Sequence, residues 1–125
     1  PSTVSEVGVY AFANCHNLRE VELNEGIEMI WQRSFGGCRS LESIKFPYIS
    51  KRLDAITSVG QTEIENRING IPGVVRRGGD LLISFEAMGY NWFEAMGGGD
   101  NWETCRKSII KICRLITYYE LKEAT

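Results

Sequence analysis

Residues 4–26 and 27–49 are two copies of one 23-residue pattern, and this period constrains the fold more than any other feature of the chain. Laid over each other, Val4 meets Ile27, Val7 meets Ile30, Phe12 meets Phe35 and Cys15 meets Cys38. Leu18, Val21 and Leu23 then meet Leu41, Ile44 and Phe46. All seven pairs stay apolar at a single offset, which chance similarity would not preserve. A unit this short cannot bury its own apolar side, so copies must stack and share a continuous core.

Inside each unit, Leu18-x-x-Val21-x-Leu23 and Leu41-x-x-Ile44-x-Phe46 read as a turn entering a short strand. Alternation puts Val21, Leu23, Ile44 and Phe46 on the buried side. It leaves Glu20, Glu22, Ser43 and Lys45 exposed, with Glu22 and Lys45 as neighbours on successive rungs. Asn14 and Asn17, and Gly36 and Gly37 one unit later, supply turn chemistry beside each cysteine. Cys15 and Cys38 occupy equivalent core positions.

The phrases YAFANCHNLREVEL and RSFGGCRSLESIKFP resemble BspA-like leucine-rich repeats, which place a phenylalanine, a cysteine and a leucine at these spacings. The resemblance covers residues 4–49. It implies a curved solenoid with parallel strands and protein binding in general, and it transfers no catalytic residue. The stretch from Arg76 onward is similar to tails that follow such repeats in algal proteins, which names no activity.

The register fails beyond Pro47. Leu53 still fits the position of Ile30, but Ser58 stands where a phenylalanine belongs and Gln61 where a cysteine belongs. The expected fold class is therefore an α/β repeat: a short leucine-rich-repeat solenoid over residues 1–49, then a mainly helical C-terminal cap over 50–125. Two units fall short of the roughly three needed for independent stability. The chain also opens on Pro1 rather than Met, so the reading is the end of a longer solenoid sealed by its C-terminal half.

Within that half, Leu53, Ile56, Ile64 and Ile68 suggest one or two short helices interrupted near Gly60, the second starting at Thr62 and stopping at Gly70. Residues 70–80, with Pro72, Gly73, Arg76, Arg77, Gly78 and Gly79, read as a loop, followed by a short apolar element over 81–85. Phe85-Glu-Ala-Met-Gly returns as Phe93-Glu-Ala-Met-Gly, a local duplication with no physical account. A long helix is predicted over about 101–122, with Asp100 and Glu103 as a capping box. Trp102, Cys105, Ile109, Ile112, Cys113, Ile116 and Tyr119 form its apolar face, which something must cover. Arg106, Lys107, Lys111 and Arg114 lie mainly on the other side.

A net charge of −2 gives no electrostatic case for nucleic acid or an anionic membrane. No apolar run approaches the ~20 residues of a membrane-spanning helix. The four cysteines lack C-x-x-C pairing and His16 is the single histidine, so no metal site is expected. Space-filling, reduced cysteine is the expected role for most of them, which leans towards a reducing compartment. Gly97, Gly98, Gly99 and Asp100 precede a helix, but no Gly-Lys-Ser/Thr follows and the two carboxylates would repel a phosphate. Cys15 beside His16 is a turn pair rather than a catalytic dyad.

These readings converge on a protein–protein interaction or scaffold module, with a structural subunit of a larger assembly as one form of it, and no enzyme activity or cofactor. The candidate partner-binding residues are Glu20, Glu22, Ser43, Lys45, Trp92, Trp102, Arg106, Lys107 and Arg114. The expected partner is another protein or a multi-subunit assembly, not nucleic acid, an inserted membrane or a small molecule. The alternative is a small-ligand or enzymatic site formed by the C-terminal helical region.

Overall fold

A computed structural model of the chain describes residues 6–8, 11–23, 26–31, 34–88 and 100–124. The 23-residue offset becomes hydrogen bonding. Strand β1 (Glu6–Val7) pairs in parallel with β3 (Met29–Ile30), and β2 (Glu20–Glu22) pairs in parallel with β4 (Ser43–Phe46). Glu6 faces Met29, Val21 faces Ile44 and Glu22 faces Lys45, all one repeat apart. Between the ladders the turns also stack: Phe12 N–H donates to the Ser34 carbonyl, Asn14 N–H to the Gly36 carbonyl, each at 2.7 Å. The Phe12 and Phe35 rings lie parallel with centroids 5.2 Å apart. Asn14 and Gly37, equivalent positions, both have positive φ (61° and 77°), which the sequence meets with the two residue types that tolerate it.

After β4 the chain turns helical instead of starting a third rung. Pro47 sits in the first turn of α1 (Pro47–Asp54), where its missing N–H costs nothing. Helix α2 (Ser58–Asn69) follows and stops at Gly70. The expected interruption near Gly60 is not there; the break falls at 55–57. Gly60 lies inside α2, where a Cβ would stand 3.0 Å from the Tyr119 ring, so the close approach of that ring favours glycine there.

Residues 70–80 are not a loop. β5 (Val74–Arg77) and β6 (Asp80–Ser84) form a hairpin, turned by Gly78 and Gly79 at φ of 60° and 88°. Two consecutive positive-φ residues give the primed turn whose twist suits a two-residue connection. β6 then pairs antiparallel with β4, Ser43 opposite Ser84 and Phe46 opposite Leu81. The resulting sheet has the order β2-β4-β6-β5 and is mixed. This corrects the expected solenoid with parallel strands and a mainly helical cap: the parallel pairs are present, but the sheet is not a solenoid and the C-terminal region contributes strands to it as well as helices.

Helix α3 (Asp100–Glu123) runs across the back of these elements. Trp102, Cys105, Ile109, Ile112 and Ile116 are at most 2% exposed, packed in one core with Phe35, Ile44, Leu53, Ile64 and Ile83. The Trp102 ring meets Phe35 edge-on at 6.2 Å and Phe85 at 5.8 Å, so one indole joins the repeat, the segment after the hairpin and the helix. The far end is tied by polar contacts. Arg52 Nε and Nη2 donate to Glu120 Oε2 and Oε1 at 3.1 and 2.7 Å, and Glu123 Oε1 accepts the Thr57 N–H at 2.8 Å. The apolar face of α3 is thus covered by this chain itself.

Candidate interaction surfaces

The ladder β2–β4 carries four of the singled-out residues. Glu20 and Glu22 are exposed, and Lys45 is half-buried. Ser43 is only 4% exposed, contrary to expectation, because β6 lies against β4 and the Ser43 hydroxyl turns to Glu20 Oε2 at 3.4 Å. Lys45 faces Glu22 in register, yet its ammonium pairs with Glu20 at 3.3 Å. Arg19 and Glu42 add a second pair at 3.3 Å across the same repeat offset. Exposed pairs of this kind contribute roughly 0–1 kcal/mol each. Their charges can therefore exchange partners at little cost.

The N-terminal part of α3 departs further from expectation. Trp102 is 1% exposed and belongs to the core. Arg106 is 8% exposed rather than outward-facing. Its Nη1 donates to the Ile30 carbonyl at 3.0 Å, while Nε and Nη2 clamp both oxygens of Glu103 at 3.2 and 2.6 Å. The guanidinium holds the Glu103 carboxyl below the usual glutamate value, against a smaller opposing effect of burial. Glu103 is thereby held by Arg106 and by Lys107 at 3.4 Å, and the Asp100 side chain of the predicted capping box lies outside the described residues. Arg106 sits one turn after Trp102 and one turn before Ile109, inside the apolar stripe, and that spacing was the available signal. Lys107 and Arg114 are exposed, as expected, and Lys111 with them. Trp92 lies outside the described residues.

Sequence reasoning missed the hollows beside α3. One, of about 610 Å³, opens between Gly26, Ile27 and Glu28 on one wall and Arg52, Arg114 and Glu120 on the other. A second, of about 130 Å³, continues along Met29 and Ile30 towards Lys107 and Lys111. The two share Arg114.

The cysteines divide by burial. Cys15 is exposed, which corrects its expected core position, while Cys38, Cys105 and Cys113 are buried. Burial pushes the Cys105 thiol up to about 12 and the Cys113 thiol up to about 11, and raises Cys38 as well. These groups stay neutral and unreactive at ordinary pH. His16 Nδ1 lies 3.5 Å from the Arg39 guanidinium. Among the described residues, no group of three or more His, Cys, Asp or Glu could hold a metal ion, and no helix is long and apolar enough to cross a membrane.

A family model described as a BspA type leucine-rich repeat region (six copies) matches residues 1–70. The match runs past β4 through α1 and α2, about one repeat length beyond the last pairing rung. No curated protein and no solved structure matches the chain.

Proposed function

Because the chain belongs to the BspA-type leucine-rich-repeat family, we propose that it is a protein-interaction module, the sealed end of a longer repeat stack held in a larger assembly. One observation carries this reading: the two sides of the repeat ladders are treated differently. Beyond β4 lies β6, which fills that edge, and at β3 the Ile30 carbonyl is taken by the Arg106 guanidinium of the C-terminal helix. On the other side, β1 and β2 are edge strands with no further strand partner among the described residues. Unpaired strand edges are templates for pairing.

Burial at equivalent positions supports the same reading. Cys38 is 3% exposed and its thiol donates to the Phe12 carbonyl of the preceding unit at 2.9 Å, whereas Cys15, at the equivalent position one unit earlier, is exposed. Phe35 is buried where Phe12 is only partly so. A further unit stacked on β1 and β2 would give Cys15 the surroundings of Cys38. Thiol labelling tests this. In the protein taken from its native source, Cys15 is expected to resist alkylation that modifies it readily in the 125-residue chain. Equal labelling in both would contradict the stacked reading.

The second reading, a ligand-binding or enzymatic C-terminal region, has the 610 Å³ hollow in its favour. A ligand-dependent rise in melting temperature would support it. Family membership lends this chain no catalytic residue.

A further inference from the structure

We propose that the trough along α3 is the docking groove for an acidic, extended segment of a partner protein. The inference rests on the interaction-module reading and names one of its binding sites. The two hollows share Arg114 and are walled on one side by the consecutive residues 26–30, so they follow α3 from Glu120 to Lys107. At 1.5 Å per helical residue that path is roughly 20 Å, the length of about six residues of extended chain. A hollow of about 610 Å³ takes a few side chains, not a helix of several turns.

Charge selects the occupant. The chain as a whole is at −2, yet the walls of the trough carry more cations than carboxylates. Lys107, Lys111 and Arg114, spaced at i, i+4 and i+7, form one row on the helix. Lys111 and Arg114 are exposed and have no ion-pair partner among the described residues; Lys107 shares Glu103 with Arg106. Arg52 is already held by Glu120, which leaves the row to meet an incoming anion. The smaller hollow has an apolar floor of Ile30 and Ile110, 0% and 4% exposed, with Met29 at its side. Its volume, about 130 Å³, is close to the ~150 Å³ cavity that holds one benzene ring. The geometry therefore fits acidic residues around one apolar side chain. A flat bilayer surface would meet the same cations but would not reach the recessed apolar floor of Ile30 and Ile110.

The test uses the whole chain and fluorescence anisotropy of a labelled octapeptide of Asp and Glu with one central Leu. Binding is expected at low salt, weakening about tenfold or more when salt is raised enough to shorten the screening length below the charge spacing. A peptide with Lys in place of the acids should not bind. K107E/K111E/R114E changes only exposed positions, so its far-ultraviolet dichroism should match the parent while affinity falls at least about thirtyfold. Met29→Glu, on the opposite wall, should weaken binding without touching the row. Absence of binding by the parent chain, or binding unchanged in the triple variant, would overturn the groove. So would preferential capture by phosphatidylserine vesicles, which would assign the row to lipid. If the groove fails while Lys45 of the native protein still cross-links to another protein, the interaction-module reading survives without it.

Discussion

Position 15 and position 38 carry the same amino acid one repeat apart and meet opposite surroundings, and Arg106 shows the same dependence on neighbours. In sequence, an arginine among exposed lysines reads as solvated. In the structure its side chain takes the place of a strand beside Ile30 and stays paired with Glu103. Arg106→Ala removes both, leaving a buried carbonyl without a donor, a loss of about 1–3 kcal/mol. A fall in melting temperature of roughly 5–10 °C is expected by calorimetry. The Glu103 carboxyl is held below the ordinary 4.5, so this pair contributes fully above that value and its contribution disappears as pH falls through the lower folded value. Denaturant titrations across pH 3–7, on the order of the window either side of that value, should show Glu103→Gln less stable than the parent near neutrality. The two should converge in acid. A gap that stays constant down the series would show that the Arg106 contact does not govern the carboxyl.

At the scale of elements, what the sequence disclosed followed from periodicity. The 23-residue offset predicts each parallel pair, because stacked units must match residue for residue, and Val21, Ile44 and Phe46 are buried as alternation requires. The long helix was equally legible from its 3.6-residue stripe. The hairpin was not. Leu81, Leu82 and Ile83 form a continuous apolar run because β6 is central in the sheet and fully covered, so alternation is absent. Arg76 and Arg77 looked like loop residues because β5 is an edge, where charged side chains are normal; Arg76 reaches Glu65 and the Ser50 hydroxyl. The two glycines between apolar runs were the overlooked signal. Burial of α3 against the chain's own elements also changes what a charge on its apolar face should do. Ile112→Asp places a carboxylate in a 2%-exposed core position and is expected to unfold the cap, seen as loss of the cooperative transition or a drop of several kcal/mol. A folded, equally stable variant that merely loses a partner would contradict the covered-face account.

At the scale of the molecule, the described residues form two parallel rungs, two short helices, a hairpin and one long helix around a shared core, and the C-terminal half lies against the β4 edge of the repeat. Of the candidate surface residues, Glu20, Glu22, Lys45, Lys107 and Arg114 remain accessible at least in part, while Ser43, Trp102 and Arg106 went to packing. Composition alone could not separate these sets, since burial of a polar or aromatic side chain depends on which distant segment lies over it. The interaction-module reading makes its strongest claim at this scale, and cross-linking mass spectrometry of the protein gently purified from its native source tests it most directly. Reproducible links from Lys45, Lys51, Lys107 or Lys111 to one other protein are the predicted result. Intrachain links alone, from a monodisperse monomer, would contradict it.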